Sequence, residues 1–456
     1  MNSVVQFYRD PQLGAVEPRE FRVFNERSIE RIPALASLPE AIRFEMQVVA
    51  SVLPFRVNDY VIEELIDWSR VPDDPIFQLT FPQRDMLAPE AFERMAVLHR
   101  QGAGRAEIQA LARELREELN PHPAGQMELN RPSEEAGEVI NGLQHKYRET
   151  VLFFPGQGQT CHSYCTFCFR WAQFVGDKEL RIASTDAALL HDYLRGHPEI
   201  SDLLMTGGDP MVMKTKHLKA YLEALLEPEL AHIQTVRIGT KALTFWPYRF
   251  VTDSDADELL RLLERLVEAG KHVALMAHYN HPNELRTPIA HEAIRRVRDT
   301  GAEIRSQGPL LRHINDDAEA WANLWREQVR LGIIPYYMFV ERDTGARRYF
   351  EVPLARAWEI YREAMKQVSG LGRTARGPSM SAEPGKVEIQ GVAEVQGEKV
   401  FVLRFIQARN PDWVQRPFFA RYDEHATWLD QLKPAFGEDR FFFEDELMAM
   451  KAESAH

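Results

Sequence analysis

The sequence predicts an α/β protein built from βα units around a parallel sheet or barrel. A helical N-terminal region precedes these units, and a small α+β C-terminal region follows. Three observations carry this prediction. From about residue 145, short apolar runs alternate with helical patterns. Before that point apolar residues recur at three- and four-residue spacing. After residue 370 the texture changes again, to a Gly- and Ser-bearing stretch, a hairpin pattern and a mixed-charge tail. At roughly 150 residues per domain, 456 residues allow about three domains. The expected boundaries are 1–140, 141–370 and 371–456.

In the first region Pro39–Val49 and Pro89–Leu98 read as helices, each opened by a proline whose missing N–H costs nothing there. Asn120-Pro121-His122-Pro123-Ala124-Gly125 reads as a break. Val151–Phe154, Asp202–Met205, Thr235–Ile238 and His272–Met276 read as buried parallel strands. Ile304–Gln307 and Ile334–Val340 extend the set, and His217–Leu226 is one of the intervening helices. In such folds chemistry gathers at the C-terminal ends of the strands. Gly370 to Gly385 reads as a loop, Val387–Ile389 through Val400–Phe405 as a hairpin, and 424–456 as a helical tail.

Composition excludes several classes. With 45% hydrophobic and 27% charged residues the chain is ordinarily globular. Fifty-five basic against 68 acidic residues leave a net charge of −13. That balance argues against nucleic acid or an anionic membrane as the main partner. No run approaches the roughly 20 apolar residues of a membrane helix. Met1–Asp10 lacks the basic and apolar regions of a signal peptide, so a cytoplasmic protein is expected.

All three cysteines, Cys161, Cys165 and Cys168, fall within eight residues. An odd, clustered set is not a disulfide framework. The C-x3-C-x2-C loop follows the first strand of the αβ region and Pro155-Gly156-Gln157-Gly158-Gln159-Thr160. Three thiolates on one loop can hold three irons of a four-iron cubane and leave the fourth open. The rival is a Cys3His zinc site using His162, although adjacent Cys161 and His162 would strain a tetrahedron.

This loop resembles that of the radical S-adenosylmethionine (SAM) superfamily, in which the open iron chelates SAM. Further segments narrow the likeness: Met205-Thr206-Gly207-Gly208-Asp209-Pro210, His278-Tyr279-Asn280-His281-Pro282-Asn283-Glu284 and Ser306–Asp316. In order, they resemble the lysine 2,3-aminomutase family from about His145 to Lys386. The resemblance implies a partial (β/α) radical SAM barrel with a [4Fe-4S] cluster on Cys161, Cys165 and Cys168. It implies SAM contacts at Thr206, Gly207, Gly208, Asp209, His278 and Gln307. There the glycines would let the backbone approach SAM, and the Asp209 carboxylate would accept from its amino group.

The family's second cofactor is pyridoxal 5′-phosphate (PLP), held as a Schiff base on a lysine after the barrel. Lys386, in Ser381-Ala382-Glu383-Pro384-Gly385-Lys386, matches that place, and a Gly/Pro-rich loop would let it reach over the barrel mouth. Lys146 falls on a phosphate-contacting arginine, Thr150 replaces a second one, and Arg148 is the candidate to compensate. Arg170 falls on the arginine that clamps the substrate carboxylate, a role suited to its planar fork. The lysine enzyme grips the distant amine with two aspartates. Arg342 occupies the first position by ungapped count and Asp343 by a one-residue slip. Near the second, only Glu383 is acidic.

The resemblance therefore implies a 2,3-aminomutase moving the α-amino group of an L-amino acid to C3. Lysine is the family default, and glutamate or aspartate becomes the substrate if Arg342 points inward. An electron donor such as flavodoxin or ferredoxin and a homo-oligomer are also expected. Two other classes compete: a radical SAM enzyme without PLP, and a non-catalytic zinc or iron–sulfur protein.

Overall fold

The structure, a computed structural model, describes residues 16–127, 129–133, 139–176 and 182–454. The opening decapeptide lies outside the described residues. Thirteen strands occur among them. β1 (Val23–Asn25) and β2 (Arg56–Asn58) form a small antiparallel pair. The others make one sheet in sequential order: β3 (Leu143–Tyr147), β4 (Thr150–Phe153), β5 (Asp202–Met205), β6 (Thr235–Thr240), β7 (His272–His278), β8 (Glu303–Leu310), β9 (Ile334–Val340), β10 (Arg376–Ser381), β11 (Gly385–Val395), β12 (Glu398–Ala408) and β13 (Pro417–Arg421).

β4 through β10 run parallel. Each step between them carries a helix: Ala187–Gly196, Thr215–Leu222, Ala256–Glu268, Pro288–Asp299, Ala318–Arg330 and Leu354–Lys366. These helices bury one apolar stripe, as Leu259, Leu260, Leu262, Leu263 and Leu266 do in the third. The strands show the same two-sidedness. In β6, Val236 and Ile238 are fully buried while Thr235, Arg237 and Gly239 are half-buried. One face packs under helices and the other lines a lumen, the arrangement of a partial (β/α) barrel.

The sheet curls until β3 comes against the link between β10 and β11. Lys146 Nζ on β3 donates to the Ala382 carbonyl between β10 and β11 at 2.6 Å. Arg409, just past β12, donates to Leu129 O at 3.1 Å and Asn130 Oδ1 at 2.6 Å.

Two expectations are corrected. The segment from Gly370 to Gly385 is not all loop, because β10 lies within it, parallel to β9 and antiparallel to β11. The free edge of β9 supplies backbone partners that outweigh a loop-like composition. The tail from 424 to 456 is α-helical only over Glu444–Ser454. Before it, Phe441 and Phe443 are buried in a second core with Phe405, Trp413 and Phe418, so the chain follows packing instead of helical spacing.

Candidate active site

The cysteine loop is shaped by the N-terminal region. Tyr164 N donates to Arg56 O at 2.7 Å and Thr166 N to Leu79 O at 3.0 Å. Fully buried Asn58 donates through its backbone to Ser163 Oγ and through Nδ2 to His162 O and Phe245 O. No disulfide ties the three thiols, which are free and half-buried. Burial pushes all three thiols up, Cys168 to about 11, and their mutual charges add to the shift for Cys161 and Cys165. Such a set wants a cation. Among the described residues no three His, Cys, Asp or Glu side chains converge on a single-ion site. Three separated thiolates suit three different irons of a cubane. His162 turns to the N-terminal region, its ring edge-on to Phe21 at 5.7 Å.

The turn after β5 is pressed against this loop. A Cβ on Gly208 would come closer than 3.0 Å to the Thr160 backbone, and one on Gly207 (φ 138°) closer than 3.0 Å to the Gln159 amide. The glycines therefore admit the cysteine loop itself. Asp209 is corrected. Only 2% exposed, its carboxylate accepts from Met211 N, Lys241 N and Thr240 Oγ1 at 2.7–2.9 Å. Those bonds tie the β5 and β6 ends together and occupy the acceptor expected to meet the SAM amino group. Gly208→Ala is expected to disturb the loop at a cost of about 1–3 kcal/mol. Iron per chain after anaerobic reconstitution, falling well below wild type, checks this.

His278 and Gln307 are brought together, Nε2 to Nε2 at 2.8 Å, across the C-terminal ends of β7 and β8. Burial holds His278 neutral, pushing it down to about 3, with Lys241 and Arg170 adding to the shift. Thr206 sits beside Gly239 at the adjacent strand end.

Arg170 stacks on Phe154 at 4.5 Å and Phe169 at 5.0 Å and forms no ion pair among the described residues. Burial pushes it down to about 10, opposed by the Cys168 thiolate. Arg342 stacks on the same Phe169 ring at 5.0 Å, with its buried Nε unpartnered. The two alternatives after β9 therefore separate. Arg342 faces Arg170, Lys146 and Lys386, each of which feels its charge. Asp343 is half-buried: Asn120 Nδ2 donates to its carbonyl at 2.7 Å and to Oδ2 at 3.4 Å, while Oδ1 is buried and unpartnered. Thr344 sets this fork: it accepts from Trp171 Nε1 at 2.9 Å and donates to Asn120 O.

Lys386 is the second residue of β11, paired with Ser381 and Gln407, so it is not on a mobile loop as expected. Its Nζ lies 4.3 Å from the Tyr337 ring centre and 5.5 Å from that of Phe339. Burial first, then Arg237, Arg376 and Arg342, push the amine down to about 7. Burial drives Lys146 down as well. Arg148 is exposed and does not compensate for Thr150. Of the carboxylates here, Asp202 is held by Arg237 and Glu383 by Lys451 at 2.7 Å, while Glu341 beside Arg342 is buried with Oε1 unpartnered, and burial pushes its carboxyl up.

Inspection of the sequence alone does not single out Arg237, Arg376 or the buried Lys241–Glu284 pair beside Cys165. A charged residue alternating with apolar ones, as in Val236-Arg237-Ile238, is the signal that marks a lumen position. Arg376, in a stretch that reads as loop, carries no such signal.

No protein-family model matches the chain. A relative from Aquifex aeolicus, provisionally named L-lysine 2,3-aminomutase, is 32% identical over 397 residues, covering 87% of this chain and 92% of its own. The chain belongs to the lysine 2,3-aminomutase family. The L-lysine 2,3-aminomutase of Escherichia coli is 30% identical over 262 residues, 57% of this chain and 71% of that one. The Clostridium subterminale enzyme is 29% identical over 239 residues, 52% of this chain and 53% of its own. Among solved structures, a radical SAM methyltransferase from Sphaerobacter thermophilus aligns over 64% of this chain and 95% of its own, at 15% identity and a TM-score of 0.35. As a family member the chain is an isomerase, a radical SAM aminomutase. Among the described residues no helix is long and apolar enough to cross a membrane.

Proposed function

We propose that this enzyme is a PLP-dependent radical SAM 2,3-aminomutase whose substrate is an acidic α-amino acid, glutamate or aspartate. The observation that carries the substrate is the inward Arg342, set beside Arg170 where a lysine-binding site would need carboxylates. A buried ammonium without a partner is costly, and two free guanidinium forks suit two carboxylates. In this reading Arg170 holds the α-carboxylate and Arg342 the side-chain carboxylate. The three cysteines hold the cluster, and the strand ends bearing Thr206, His278 and Gln307 face SAM. When bound, cluster and SAM supply hydrogen abstraction at C3, and PLP on Lys386 carries the migrating nitrogen.

The chain's part is placement. The sheet holds Lys386 fixed, Tyr337 and Phe339 wall its amine, and burial with its neighbouring cations brings the amine down to about 7. With only three cysteines in the chain, a second Cys-held four-iron cluster is not available, so the reducing electron comes from a separate donor such as flavodoxin or ferredoxin.

The test is anaerobic reconstitution with SAM, PLP and dithionite on glutamate, aspartate and lysine, followed by mass spectrometry for a β-amino acid and 5′-deoxyadenosine. A β-amino acid from lysine alone would refute the acidic substrate. SAM cleavage without any rearranged amino acid would refute the mutase.

A pH dependence follows from Lys386. The amine is protonated below about 7 and free above it. The rate of PLP capture, read by the visible absorbance of lysine-bound PLP, is expected to rise through pH 7 and then level. An ordinary lysine would keep gaining about tenfold per pH unit well above pH 8.

A further inference from the structure

We propose that Arg376 is a ligand for the phosphate of PLP, supplying the fork-shaped cation that this chain lacks at Thr150. The inference rests on the PLP reading above. A phosphate dianion bound away from bulk water needs charge-assisted donors, and Arg supplies two parallel ones. Lys146 gives a single ammonium, part of whose donor capacity goes to the Ala382 carbonyl at 2.6 Å. Thr150 cannot make up the difference, because its hydroxyl donates to Asp202 Oδ2 at 3.0 Å. Arg148 is exposed. Arg237 is the next cation along the lumen, but its Nε donates to Asp202 Oδ1 at 2.8 Å and it forms a second bond to the same carboxylate.

Arg376 differs from all of these. It opens β10 on the lumen face, half-buried, and forms no ion pair or side-chain hydrogen bond among the described residues. Two aromatic faces hold the guanidinium, Tyr336 at 4.4 Å and Tyr337 at 4.3 Å from its carbon to the ring centre. Stacking of this kind orients the fork and leaves its N–H edge for a ligand. Lys386 Nζ stands 4.3 Å from the same Tyr337 ring centre, so the carbon-bonding amine and the unpaired guanidinium share one wall. The charge of Arg376 bears on Lys386, consistent with that proximity. A molecule anchored to Lys386 at one end and carrying a phosphate at the other can meet both.

The test compares PLP with pyridoxal, which lacks the phosphate, on wild type, Arg376→Gln and Arg376→Lys. Binding is followed by the absorbance of the lysine-bound aldehyde, with the iron–sulfur spectrum as the control for folding. Arg376→Gln is expected to weaken PLP about 10- to 100-fold, the range carried by a hydrogen bond to a charged group. Pyridoxal binding should fall much less, only by the share of the Lys386 depression that Arg376 supplies, and Arg376→Lys should recover part of the PLP loss. Equal weakening of both ligands would reveal a purely structural role and overturn the proposal, as would unchanged PLP binding in Arg376→Gln. If wild type captures neither ligand, the PLP reading falls and this inference with it. If wild type captures PLP and the variant matches it, only this inference falls.

Discussion

Lys386→Ala is expected to abolish lysine-bound PLP and to lower aminomutase turnover at least about 1,000-fold, the scale on which loss of a covalent partner acts. The four-iron cluster and SAM binding should be retained, because the cysteine loop rests on the N-terminal region and the β5 turn, not on β11. The reason for so large an effect is the singular position of this amine. Burial and three nearby guanidiniums bring it down to about 7, and the strand register fixes its direction into the lumen. Lys146 is the neighbour able to challenge the assignment, since its proton is also destabilised. Visible absorbance surviving in Lys386→Ala but lost in Lys146→Ala would move the covalent role to β3. The fold itself should tolerate Lys386→Ala, because the change removes a buried cation placed among other cations.

Arg342→Asp is expected to cut kcat/KM for an acidic substrate about 100- to 4,000-fold and to raise the lysine-to-glutamate ratio. Removing one partner of a buried charge pair costs about 3–5 kcal/mol, and each 1.4 kcal/mol is tenfold. Arg342→Gln separates two effects that the aspartate combines. A carboxylate at 342 would also raise the Lys386 amine, whose depression owes part of its size to Arg342. Glutamine removes the clamp without adding that opposing charge. Steady-state kinetics on glutamate, aspartate and lysine for both variants check this. An unchanged substrate ratio in Arg342→Asp would show that Arg342 does not meet the substrate side chain.

Much of the scaffold was legible before any coordinates. Each apolar run from Val151 to Val340 is a strand, because a barrel strand under a helix layer must bury at least one face. The cysteine spacing likewise announces a cluster loop, since three thiolates so close in sequence serve few other chemistries. What misled was composition where long-range pairing prevails. Arg376–Ser381 reads as loop yet becomes a strand because β9 leaves an unpaired edge. Asp209 reads as a ligand contact yet spends its carboxylate on Thr240, Lys241 and Met211.

The sequence by itself therefore determined the βα order and the cluster loop, set by local pattern and spacing, and its resemblance to the aminomutase family made Lys386 a candidate. Only the tertiary structure decided which way Arg342 and Asp343 point. Adjacent residues of an irregular segment have no intrinsic preference for inside or outside. Here Thr344, bonded to Trp171 and Asn120, sets Arg342 against the Phe169 ring and Asp343 beside Asn120. Curling of the sheet then gathers Lys146 on β3, Arg342 after β9, and Arg376 and Lys386 on the β10–β11 hairpin. Their shared positive field arises from distances that no spacing along the sequence encodes.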